Sequence, residues 1–106
     1  MKKSDTRTAT IYLAGDLCAI RECCRAHCDT VGLCVSVCAS DYIYTNGGES
    51  GAAVGLVNYP RFPKSADEFS EATRQLAEAL LNECAERSLL IVERDFSTWL
   101  TKDKLQ

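Results

Sequence analysis

No apolar run in these 106 residues approaches the roughly twenty that a membrane span needs. The first seven residues, Met1 to Arg7, are polar and hold none of the apolar core of a secretory signal. No membrane partner is expected, and a cytoplasmic location follows as the default. Neither phosphate-binding signature, G-x-G-x-x-G or G-x-x-x-x-G-K-[ST], occurs, so no nucleotide cofactor is called for. There is no C-x-x-C, which argues against a thioredoxin-type redox pair. The net charge of −3 leaves no basic excess, and the aromatic strand motifs of single-strand RNA readers are missing, so no nucleic acid is expected. Histidine occurs once, at His27, which leaves histidine-based catalysis a single candidate.

Cysteine, by contrast, is plentiful. The seven residues are an odd number, in a chain whose composition builds a core without staples. Cys34 and Cys38 lie four apart on one strand, about 13 Å at a strand's rise, and a disulfide needs Cα atoms within about 7 Å. Reduced thiols are expected throughout.

Hydrophobic periodicity sets the order of elements. Thr8 to Ala14 alternates at period two, with Ala9, Ile11 and Leu13 on one face. Leu17 to Val31 repeats at helical spacing through Leu17, Ile20, Cys24, Cys28 and Val31, with Asp16 placed as N-cap and His27 at the stripe's edge. A second strand, Leu33 to Tyr44, turns at Asn46-Gly47-Gly48 into a third, Ala52 to Tyr59. Ser65 and Glu68 form a capping box before a second helix over 66–87, whose core stripe is Phe69, Ala72, Thr73, Leu76, Leu80 and Cys84. Leu89 to Arg94 reads as the last strand, and a tail with Phe96, Trp99 and Leu100 is apolar enough to pack on the domain or on a neighbouring subunit. Strand, helix, strand, strand, helix, strand is the split βαβ order of an α+β sandwich. The expectation is one ferredoxin-like domain over 8–106 after a flexible lead over 1–7, with a four-stranded antiparallel sheet and two helices on one face.

The candidate reactive groups have plain structural readings. Cys18 sits at the second position of the first helix, where the dipole favours thiolate, but a C-x-x-x-x-x-R phosphatase loop would need arginine where Cys24 stands. Cys24, His27, Cys28 and Cys84 are soft ligands without a zinc spacing, so no metal is expected. The sheet face turned from the helices collects Thr10, Tyr12, Ser36, Cys38, Gly55 and Val57. It is small and uncharged, where an open face would carry Lys, Glu or Arg.

In element order the chain resembles the small oligomeric ferredoxin-like proteins, such as the CutA-type trimers and the dimeric α+β barrels. The hairpin through Tyr42, Tyr44 and Gly47-Gly48 and the Trp99-Leu100 tail are similar to the former. The resemblance spans the domain and rests on element order; it carries over no metal-ligand pattern. For the barrels it implies a histidine or asparagine in the cleft between sheet and helices, for which His27 and Asn58 are available.

The resulting expectation is a small cytoplasmic oligomer, non-enzymatic in its leading form, that binds a ligand or regulates a partner and is assembled through its open sheet face. The ligand-binding residues would be Tyr42, Tyr44, Asn58, Tyr59, Arg61 and Phe62, a cleft of aromatic walls with one cation, suited to a planar or anionic ligand. One alternative is an α+β-barrel-type enzyme using His27 or Cys18. Another is a structural interaction module without a pocket.

Overall fold

The computed structural model describes residues 1–102, apart from the side chain of Glu86; residues 103–106 of the expected domain lie outside the described ones. Seven elements follow one another: β1 (Thr8–Gly15), α1 (Leu17–Thr30), β2 (Val35–Tyr44), β3 (Gly47–Val57), α2 (Ala66–Glu83), β4 (Ala85–Val92) and β5 (Ser97–Thr101). The fold is α+β, and the sheet is antiparallel in the order β2-β3-β1-β4-β5.

Alternation creates the two sheet faces. Ala9, Ile11 and Leu13 of β1, Ala52, Val54 and Leu56 of β3, and Leu89 and Ile91 of β4 are buried. They form one core with Ile20, Cys23 and Cys24 of α1 and Phe69, Leu76 and Leu80 of α2. Each large aliphatic side chain removed from water here is worth about 1.5–3 kcal/mol. Both helices therefore lie on one face, and the other carries Thr10, Tyr12, Ser36 and Cys38.

Both helix starts follow from the caps. The Asp16 carboxylate accepts from the Ala19 N–H at 2.9 Å. Ser65 accepts from the Glu68 N–H at 3.2 Å while Glu68 accepts from the Ser65 N–H at 2.9 Å. Each bond satisfies an amide that the first helical turn leaves without a partner.

The sheet has five strands rather than the expected four. The tail forms β5, which covers the outer edge of β4 with Leu89↔Leu100, Leu90↔Trp99 and Ile91↔Thr98 opposite each other. The second helix also ends earlier than its periodicity suggests. Cys84 leaves helical geometry as the C-cap, and Ala85 immediately pairs with Gly15 of β1. There a side chain on Gly15 would run into the Cys84 carbonyl, 2.6 Å from its Cβ position. Strand pairing outweighs the helical pattern over 84–87.

Cys23, outside the expected stripe, is buried. α1 packs on α2 as well as on the sheet, so its buried arc is wider than one stripe. Residues 1–7 have no regular structure, yet they are tied to the end of β3. Ser4 donates to the Asn58 carbonyl, and Asn58 donates to the carbonyls of Asp5 and Arg7. Among the described residues no helix is long and apolar enough to cross a membrane.

Candidate functional site

The β2–β3 hairpin positions the first wall. It turns at Thr45 and Asn46, and Asn46 adopts φ 64°, a left-handed conformation that asparagine tolerates. The register that follows sets Tyr42 opposite Glu49 and Tyr44 opposite Gly47. Period two then puts Tyr42, Tyr44 and Glu49 on the open face, with Tyr12 of β1. The Tyr44 hydroxyl donates to Glu49 Oε1 at 2.7 Å. The Tyr42 hydroxyl donates to the Ala52 carbonyl, and burial pushes its phenol up from the ordinary value. Tyr12 and Tyr42 meet edge to face with ring centres 6.4 Å apart, a favourable aromatic geometry.

The second wall comes from β4 and β5. Leu90 and Trp99 face each other across that pair on the same open side as Tyr12, and Trp99 is 60% exposed. Between the walls runs a groove of about 460 Å³ lined by Tyr12, Tyr42, Tyr44, Glu49, Leu90 and Trp99, with Ser88 and Ala14 also in its lining. Its chemistry is aromatic surface with one carboxylate held in place by a tyrosine. Such surfaces stack planar rings and attract cations.

The six residues expected to form one cleft are split. Tyr42 and Tyr44 stand at the hairpin end of β3, whereas 58–62 follow its other end, about 33 Å away along ten strand steps. Asn58 is a brace: it is 5% exposed, its amide donates to the Asp5 carbonyl at 2.8 Å and its side-chain oxygen accepts from the Lys64 N–H at 2.8 Å. Tyr59 and Phe62 stack on each other at 5.5 Å, and Phe62 carries Lys64 Nζ over its ring at 5.8 Å. Arg61 is exposed beside them.

Neither Cys18 nor His27 lines the groove. Cys18 is exposed on α1, and the Nε2 atom of His27 is buried without a hydrogen-bond partner. Among the described residues no group of three or more His, Cys, Asp or Glu is placed to hold a metal ion. All seven cysteines are free thiols.

Glu49, Leu90 and Trp99 were not among the expected site residues. The signal for Glu49 was available: a turn centred on Thr45 and Asn46 sets it opposite Tyr42. Trp99 needed β5, which the short tail did not announce.

No family model matches the chain, and no curated protein matches it. Two solved structures are similar. A phage SAM lyase in its apo state aligns with a TM-score of 0.61 at 16% identity, covering 94% of this chain and 92% of that one. A phage SAM lyase in complex with S-methyl-5'-thioadenosine aligns with a TM-score of 0.59 at 12% identity, covering 100% of this chain and 97% of that one. The likeness is one of fold.

Proposed function

We propose that the chain binds S-adenosylmethionine in the groove between the hairpin and β5 and cleaves it to S-methyl-5'-thioadenosine. The observation that carries this reading is the pairing of aromatic walls with a single carboxylate. Adenine is planar and apolar on its faces, and Trp99 offers an exposed ring to stack on. The sulfonium is a cation, and tyrosine faces attract cations with the Glu49 carboxylate adding direct charge. Tyr44 orients Glu49 through its hydroxyl, so the anion is in place before the ligand arrives. In the cleavage step the ligand's own carboxylate attacks the γ-carbon and closes a five-membered lactone; the sulfur keeps the electron pair of the broken carbon–sulfur bond, and S-methyl-5'-thioadenosine leaves as a neutral thioether. The charge that Glu49 recognises disappears with the reaction, which favours product release. The fold shared with SAM lyases supports the same ligand chemistry.

This reading replaces an anion held by Arg61 with a cation held by Glu49. The homo-oligomer belongs to the same proposal, through the end of the open face away from the groove. There Thr8, Thr10, Ser36, Gly55 and Val57 surround a shallow depression of about 330 Å³. Free thiols suit a reducing cytoplasm.

The test is incubation of the purified chain with S-adenosylmethionine, followed by chromatographic detection of S-methyl-5'-thioadenosine and calorimetric titration of both compounds. Glu49→Gln and Trp99→Ala should each weaken S-adenosylmethionine binding about tenfold, corresponding to about 1.4 kcal/mol. Tyr44→Phe should weaken it less, since it only loosens Glu49. Absence of both cleavage and binding at millimolar ligand, with the protein folded, would overturn the proposal.

A further inference from the structure

β2 pairs with β3 along one edge, and the sheet ends there. Its register runs without a bulge from Val35↔Leu56 to Tyr44↔Gly47. From Val35 to Ser40 the strand reads Val-Ser-Val-Cys-Ala-Ser, with no charge and no proline. Sheet edges are usually blunted by lysine, proline, bulges or a covering element. This stretch has none of those within its own sequence, so a row of backbone donors and acceptors stands ready for another strand.

The groove beside that edge is lined by cations. That groove, of about 350 Å³, lies between β2 and α1, with Leu33, Val35, Val37 and Cys28 at its base and Arg21 and Arg25 on its helical side. Neither guanidinium forms an ion pair among the described residues. Lys64 adds a third cation nearby, its Nζ donating to the Gly32 carbonyl at 2.9 Å. In a chain of net charge −3 both charged side chains that line this groove are cationic, with the acids Asp29, by Cys28, and Asp41, further along β2, outside its lining.

We propose that the β2 edge, with Arg21 and Arg25, is a docking site for an extended acidic segment of a partner protein, which joins the sheet as a sixth strand. Main-chain hydrogen bonds would supply affinity and alternate side chains the selectivity. The spacing fits. Arg21 and Arg25 are four residues apart, about 6 Å along the helix. Alternate residues of a strand are about 6.7 Å apart and point to one side, so carboxylates at every second position match the two guanidiniums. A second copy of the chain fits less well. Two β2 edges meeting about a two-fold axis would bring α1 against its own copy, and the unpaired guanidiniums of both would repel.

The full chain, labelled with nitrogen-15, is titrated with the capped heptapeptide TEVEVET and with its lysine counterpart TKVKVKT. TEVEVET is expected to shift the amide resonances of residues 35–40 and to slow their hydrogen exchange, and TKVKVKT to do neither. The double variant Arg21→Glu/Arg25→Glu should weaken TEVEVET at least tenfold and gain affinity for TKVKVKT. Arg21→Lys/Arg25→Lys should retain most of the binding; the spectra themselves report whether each variant is folded. No shift at millimolar TEVEVET, equal binding of both peptides, or shifts confined to other elements would overturn the proposal. So would concentration-dependent shifts of the same amides without peptide, which would assign the edge to a second copy.

Discussion

Individual side chains divide the seven cysteines into two chemical sets. Cys18, Cys34 and Cys38 are exposed. Burial pushes the Cys23 thiol up to about 12, with the neighbouring Cys84 and Glu83 adding to the shift. Burial raises Cys24 to about 11, with Cys28 and Cys84 contributing. Cys28 and Cys84 are raised too, again chiefly by burial. Only thiolate reacts with an alkylating agent, so at pH 8 Cys18, Cys34 and Cys38 should be modified first and Cys23 and Cys24 last, as read by peptide mass spectrometry. A linked consequence concerns stability. A folded-state value above the ordinary 9.0 means that the native state holds the proton more tightly than the unfolded chain does. The stabilisation is complete below about pH 9 and is lost as pH rises towards 11–12. Denaturant titrations of the wild type should show this loss, and Cys23→Ala/Cys24→Ala should flatten it. An unchanged alkaline slope in that variant would place the effect on other groups.

Among the elements, α2 offers the most direct test, because its capping box was legible as Ser65-x-x-Glu68 and is present in the structure. Ser65→Ala should cost about 1 kcal/mol in urea unfolding at neutral pH. The Glu68 carboxyl is held below its usual 4.5 by the Ser65 N–H first and the Ser65 hydroxyl second. A lowered folded value gives stability that is present above the ordinary carboxylate range and lost as pH falls through the lowered value. Glu68→Gln keeps an acceptor for the box without a charge, so its stability should fall less between pH 5 and pH 3 than the wild type's. Parallel acid profiles would remove the box from that role. The strands show where legibility stops. β1 reads cleanly because Ala9, Ile11 and Leu13 alternate with polar neighbours, and the α1 start reads from Asp16. The hairpin signal at Asn46-Gly47-Gly48 is real, yet both glycines are already paired within β3. β5 has only five residues, with Trp99 facing away from the core and Leu100 towards it. So short a stretch carries too little pattern to separate a strand from a packed tail, and with it went half of the groove.

At the scale of the whole molecule, the open sheet face is where the proposed ligand and subunit contacts would both lie. Tyr12, Tyr44, Val57, Leu90 and Trp99 expose apolar surface there, while both helices cover the opposite face. Aromatic pairing at the hairpin end lines the groove proposed for the ligand; small side chains at the other end leave the backbone close to the surface, where the proposed subunit contact would lie. Period-two alternation sorts the β1, β2 and β3 residues Thr10, Tyr12, Ser36, Cys38, Gly55 and Val57 onto this face, but Glu49, Leu90 and Trp99, which also stand on it, were not read from the sequence. Alternation did not separate the two ends, since that needs the register joining Tyr42 to Glu49 and Leu90 to Trp99. Cys38 lies between them, paired with Ala53 on β3 and exposed. Cys38→Arg should therefore leave the melting temperature within a few degrees of wild type, because the arginine has solvent in the monomer. In an assembly built on this face the same guanidinium would be buried without a partner, which is strongly unfavourable. Sedimentation velocity at micromolar concentration should show the wild type as an oligomer and Cys38→Arg shifted towards monomer. A monomeric wild type would leave the face to ligand alone, and an oligomer untouched by Cys38→Arg would move the subunit contact to another surface.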